Sequence, residues 1–187
     1  AGAAAAQEAP ATPPTPAVET AALSDVDLNF NVRDFFIKNE AGEPYDSRAP
    51  MYLCADNTQS CWTQPQRDAW AVREFQLAVR TAVYTCQQYY PDEQLIDHYN
   101  NFVLNNQTTL QQNFHTVAAY FTSKTSTARE AMLAQDRLEI ATGNVFSGAS
   151  SPEYCERMVP VMRHVASLQN DADVVSVAHR LLLPRPS

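Results

Sequence analysis

Four cysteines are the side chains whose chemistry depends most on their spacing: Cys54, Cys61, Cys86 and Cys155. Thiols can hold a metal, act as nucleophiles or pair as disulfides. A Cys-x-x-Cys unit is absent and no histidine stands at ligand spacing from a cysteine, so zinc and haem attachment have no pattern behind them. The leading reading is paired disulfides, which belong to an oxidising compartment. Cys54 and Cys61 bracket the polar run 55–60 and would close it locally. Cys86 closes the apolar face of one predicted helix and Cys155 opens that of another, so the two are placed to cross-link them. Four cysteines allow three pairings, and the sequence does not choose among them; these positions favour Cys54–Cys61 with Cys86–Cys155. A loop of roughly seventy residues closed in this way would add on the order of 4 kcal/mol on the chain-entropy model. In mass mapping of non-reduced peptides, a Cys61–Cys86 bridge would overturn this pairing.

Other reactive groups form no constellation. Four glycines supply neither a phosphate-cradling loop nor a dinucleotide fingerprint, and His-Glu-x-x-His and Gly-x-Ser-x-Gly are both missing. His98, His115, His164 and His179 fall on four different predicted helices, and a metal site would need three of them to converge. They read as helix-surface or boundary positions. Asp92 and Glu93 suit a helix start, and Glu130 and Glu153 suit caps. Asp25, Asp27, Asp34, Glu40, Glu43, Asp46 and Asp56 make the first half acidic without the pairing that glycoside hydrolysis requires. The expectation is therefore no catalytic residue, no cofactor and no bound metal. The aromatic residues say more. Tyr89-Tyr90, Trp62, Trp70, Tyr45 and Tyr52 cluster in or beside residues 25–64 and have two readings: pins that hold a cover on the helices, or an interaction surface, for which Phe35, Phe36, Tyr45, Tyr52 and Trp62 are the candidate partner contacts.

The elements behind these residues divide the chain in three. Residues 1–24 are Ala, Pro, Thr and Glu, with nothing to bury, and read as an extended arm. Residues 25–64 alternate at Leu28, Phe30 and Val32 like a strand and are broken by Gly42, Pro44 and Pro50; they read as an irregular cover with one short hairpin. Residues 65–187 read as a bundle of five or six helices, an all-α fold. Thr63 and Gln66 form a capping box ahead of a helix with Val72, Phe75, Val79, Val83 and Cys86 on one face. Pro91 should open the next, which buries Leu95, Tyr99, Phe102 and Val103. A third begins near Thr108 and buries Leu110, Phe114, Val117 and Phe121. Thr127 and Glu130 cap a fourth, with Ala131, Ala134, Leu138 and Ala141 inward, ended by Gly143-Asn144. Ser151-Pro152 starts a fifth carrying Cys155, Met158, Met162, Val165 and Ala166; Pro160 should kink it. A short last helix spans about 171–182.

One domain with extensions fits 187 residues. A net charge of −8 would repel nucleic acid and anionic lipid. No apolar run approaches the length needed to cross a bilayer. The opening run of small residues, 1–7, looks like the new end left by signal-peptide cleavage. With the cysteines, this points to export, as to a bacterial periplasm.

The order Cys86, then Tyr99-Asn100-Asn101-Phe102-Val103, then Leu110, Phe114 and Tyr120-Phe121, then Tyr154-Cys155 resembles small exported helical proteins of alphaproteobacteria, most of them uncharacterised. The likeness covers about 70–168; residues 1–64 depart from it. The whole plan also resembles the small third subunit of membrane-bound quinohaemoprotein alcohol dehydrogenases of acetic acid bacteria, where quinone and haems belong to the other subunits. The first implies a small exported helical protein and says nothing direct about activity; the second implies a periplasmic helical subunit without cofactors of its own. The expected function is a non-catalytic accessory subunit that binds and stabilises a larger periplasmic or membrane-bound partner. The alternatives are a stand-alone periplasmic binding or chaperone-like protein and, third, a hydrolase with dispersed carboxylates.

Overall fold

Residues 28, 30–38, 40, 42, 62–149 and 151–182 are described by the structure, a computed structural model. Six helices follow a 3-10 turn at Val32–Phe35: α1 (Gln64–Cys86), α2 (Leu95–Asn105), α3 (Gln107–Lys124), α4 (Ala128–Gly148), α5 (Pro152–Val165) and α6 (Asp171–Leu182). Among the described residues there is no strand, and the fold is an all-α bundle.

Local chemistry sets several helix starts. Gln66 reaches back to accept the Thr63 N–H at 2.8 Å and opens α1. Thr127 Oγ1 accepts from Glu130 N at 3.2 Å, and Glu130 Oε2 accepts from Thr127 N at 3.2 Å, a reciprocal cap that satisfies two otherwise orphaned donors of α4. Ser151 Oγ accepts from Tyr154 N at 3.2 Å, with Pro152 in the first turn of α5. Asn170 Oδ1 takes the Asp173 N–H at 2.9 Å at the head of α6.

Helix α1 is the hub. It packs against each of the other five helices, so it is buried on more than the single face its periodicity announces. Val72, Phe75, Val79, Val83 and Cys86 are inside as expected; Ala69, Ala71, Leu77, Ala78 and Ala82 are inside as well. The alanines let neighbouring backbones approach closely. Helices α3 and α4 pack on each other, α2 packs on α5, and α6 lies chiefly on α1 and the 3-10 turn.

Four expectations need correcting. Pro91 does not open α2: the Tyr89 and Tyr90 amides both bond to the Cys86 carbonyl, the chain turns through 87–94, and the helix begins at Leu95, the first residue of that stretch to enter the core. Gly143-Asn144 does not end α4, because Thr142 and Phe146 are both buried and hold the next turn; the stop comes at Ala149, whose N–H bonds to Val145 O and Phe146 O. Phe114 is 39% exposed, and Tyr120 takes the inward place on α3. The alternation at Leu28, Phe30 and Val32 is not a strand: Val32–Phe35 winds into a 3-10 turn whose Arg33 N–H is capped by Asn31 Oδ1 at 2.9 Å. All three apolar residues are nevertheless buried, in the same core cluster as the helices. The rest of the expected hairpin, like the 1–24 arm, lies outside the described residues. Pro160 sits inside α5, which runs unbroken from Pro152 to Val165.

Tyr154 lies fully inside, edge-on to Phe35 at 5.6 Å, with a hydroxyl that has no hydrogen-bond partner. Burial holds its phenol well above the ordinary value. An unsatisfied buried hydroxyl costs free energy that a phenylalanine would not. Tyr154→Phe should therefore raise the unfolding free energy by about 1 kcal/mol in urea titration; a comparable loss would mean that the hydroxyl is satisfied in solution.

Candidate functional site

The sulfur atoms are inside. Cys86, at the end of α1, is bonded to Cys155 in the first turn of α5, with Cα atoms 5.4 Å apart and both residues fully buried. Helix α1 directs its last turn and α5 its first turn into the same core, which brings the two together. Cys54 and Cys61 lie outside the described residues. The histidines stay apart on α2, α3, α5 and α6, and among the described residues no group of three or more His, Cys, Asp or Glu stands close enough to hold a metal ion. Burial pushes the His98 imidazole below its ordinary value, against the pull of Glu93. Glu93, expected at a helix start, instead takes a two-point grip from Arg163 of α5, and that hydrogen bonding holds its carboxyl below the usual range.

Two grooves flank α1. The first, about 580 Å³, lies between the head of α1, the middle of α3 and the head of α6, lined by Asp68, Asn113, Thr116, Asp171 and Ser176 among others. Asp68 Oδ1 accepts from Gln64 Nε2 at 2.6 Å and stands 3.0 Å from His179 Nε2. The pair sets α6 beside α1 by proximity, since Nε2 has no hydrogen-bond partner.

The second groove, about 410 Å³, runs between α1 and α4 and is lined by Arg80, Asp136, Glu139, Ile140, Gly143 and Asn144. Its floor is rigid. Arg73 donates to Glu139 through Nε (3.0 Å) and Nη2 (2.8 Å), to Gln76 through Nη1 (2.6 Å), and stacks on Phe114 at 5.5 Å. A bidentate, partly buried pair of this kind fixes orientation as well as adding stability. Ile140, on its wall, is 64% exposed; elsewhere on α4 Met132 is 57% exposed, and on α1 Tyr84, one turn beyond Arg80, is 74% exposed. Leu133 is also exposed. Ile37 reaches the far end of α4, where a Cβ on Gly148 would lie 3.0 Å from its Cδ1. Apolar side chains gathered on one face are what a protein-binding surface offers.

No family model, curated protein or solved structure matches the chain. The small-subunit likeness accordingly rests on the chain's overall plan, and the resemblance that runs from Cys86 to Tyr154-Cys155 on this chain's own residues. Of those, Phe102, Leu110, Tyr120, Tyr154 and Cys155 are buried and Phe114 is not.

The five aromatic residues expected at a partner are distributed differently. Phe36 is buried edge-on to Phe146 at 5.8 Å, and Phe35 is half-buried between Phe30 and Tyr154. Trp62 is 3% exposed, packed against Trp70, Tyr120 and Phe121 at 5.8, 4.8 and 6.4 Å. Tyr45 and Tyr52 lie outside the described residues. In this chain, then, the rings of Phe36 and Trp62 are covered by its own side chains. The α1–α4 face escaped the sequence reading, although a signal was present: Ile140 stands two residues from inward Leu138, and Leu133 five before it. Both therefore fall on the far side of a helix whose polar face should carry none.

Proposed function

We propose that this chain is a non-catalytic binding subunit of an exported complex, docked on a larger protein through the face formed by α1 and α4. One contrast supports this reading. Among the described residues, several side chains with reactive chemistry are committed to the fold, as a buried disulfide, helix caps and inter-helix contacts, while Leu133 and Ile140, seven residues apart on one face of α4, and Tyr84 on α1 stand exposed. An oxidising compartment suits the cysteine pair. No described helix is long and apolar enough to cross a membrane, so attachment to one would run through the partner. The contact surface moves with this reading from the aromatic cover, whose described members are largely spent on the core, to α4. The small-subunit resemblance supplies one candidate partner, a membrane-bound quinohaemoprotein dehydrogenase.

The test is recovery of partners from native membranes with the tagged chain and with a Leu133→Glu/Ile140→Glu variant. Exposed substitutions of this kind leave stability within about 0.5 kcal/mol, so the melting temperature should hold. Loss of central apolar contacts should lower partner recovery about tenfold or more. Equal recovery would refute the docking face. A native form sedimenting as a free 20.8 kDa monomer would refute the subunit reading itself and favour the stand-alone protein.

A further inference from the structure

Charge is spread unevenly over this chain. It carries 13 Lys and Arg against 21 Asp and Glu, a net −8. On the outward face of α4 the balance reverses. Leu133 and Ile140 stand exposed there, seven residues apart and so on one stripe of the helix. Arg129 lies one turn before Leu133 and Arg137 one turn after it, which puts an exposed guanidinium on either flank of that stripe. Arg80 of α1, also exposed, lines the same groove as Ile140.

The nearby carboxylates offset little of this. Glu139 gives both oxygens to Arg73, and Glu130 is turned back onto the Ser126 and Thr127 amides at the helix head. Asp136 stands exposed in the groove. Among the described residues, none of Arg80, Arg129 and Arg137 is paired with a carboxylate. Three cations thus border two bare apolar side chains, on a chain whose overall charge has the opposite sign. Complementary charge at the rim of a contact selects the partner and speeds its approach, while the apolar centre supplies most of the affinity.

Building on the docking face proposed above, we infer that the partner seats an acidic amphipathic helix on it. The apolar stripe of that helix meets Leu133 and Ile140, and Asp or Glu on its two flanks meet Arg129, Arg137 and Arg80. A groove between two helices accepts a third by its apolar face. Gly143 on the groove wall leaves room beside Ile140, since nothing lies within 4 Å of a Cβ placed there.

Two synthetic helical peptides test this, with one apolar stripe in common and flanks of Glu in the first and Lys in the second. Against the oxidised full-length chain, net charge alone favours the Lys peptide, whereas the α4 face favours the Glu peptide. The Glu peptide should bind about tenfold tighter or more, chiefly through faster association, and should lose that advantage at about 0.5 M salt, where exposed charges are screened. Arg129→Glu/Arg137→Glu, at two exposed positions, should reverse the order, and Leu133→Glu/Ile140→Glu should abolish binding of the Glu peptide. Equal binding, a preference for the Lys peptide, binding of neither, or a preference for Glu that survives Arg129→Glu/Arg137→Glu overturns the inference. If that double variant does not fold, Arg80→Glu on α1 decides, since an unchanged preference there refutes the acidic helix. Recovery from native membranes separates this inference from the docking face itself. A partner lost with Leu133→Glu/Ile140→Glu but recovered in full with Arg129→Glu/Arg137→Glu leaves the face standing and removes its acidic occupant.

Discussion

Replacing Cys86 and Cys155 together by alanine lowers the unfolding free energy by about 4 kcal/mol, the chain-entropy value for a loop of about seventy residues. This is a large share of the 5–15 kcal/mol typical of a domain, and the buried sulfurs leave a void besides. Urea unfolding of the oxidised chain against the double variant measures it, and wild type held under strong reductant should behave as the variant does. A difference below about 1 kcal/mol would mean that the unfolded chain is already compact around this pair. Because both residues are fully buried, reductant acts only on molecules that open, so reduction of the native chain should be slow and should track unfolding.

Trp62→Ala should cost about 3–5 kcal/mol, the range for deleting a large aromatic side chain from a core that cannot collapse to fill the gap. Four aromatic rings meet here, from the residue preceding the Thr63 cap, from α1 and from α3. The same substitution at a partner contact would leave the free chain's stability almost untouched. Thermal unfolding of the isolated protein therefore separates the two roles: a shift of only a degree or two would put Trp62 on the surface in solution.

How much of this was legible beforehand depended on whether local chemistry or tertiary packing decided it. The caps at Thr127-Glu130 and Ser151-Pro152 are two-residue devices, and both stand where the pattern put them. The Cys86–Cys155 pair is readable because Cys86 ends one apolar stripe and Cys155 begins another. Gly143 misled because a C-terminal glycine signal carries weight only where nothing beyond it needs burial, and Phe146 did. Leu28, Phe30 and Val32 alternate in the sequence and are all buried, on a short irregular stretch where periodicity does not separate a strand from a 3-10 turn. The α1–α4 face is not visible in the sequence because exposed apolar residues are noise singly and become informative only once α1 brings Tyr84, and the stretch after the 3-10 turn brings Ile37, to the same helix pair. The polar contact between His179 and Asp68 spans more than a hundred residues, and no spacing rule reaches so far.

That one early helix is a neighbour to every later one also governs the order of assembly. A chain made N-terminus first presents the greasy sides of Phe75 and Val79 long before Leu181 has been made, and Cys86 is made well ahead of its mate Cys155. Closure of this core must wait until α6 has been made. Such late, long-range closure is slow and leaves sticky surface uncovered in the interval, so yield in any host should hinge less on final stability than on what shelters that first helix meanwhile.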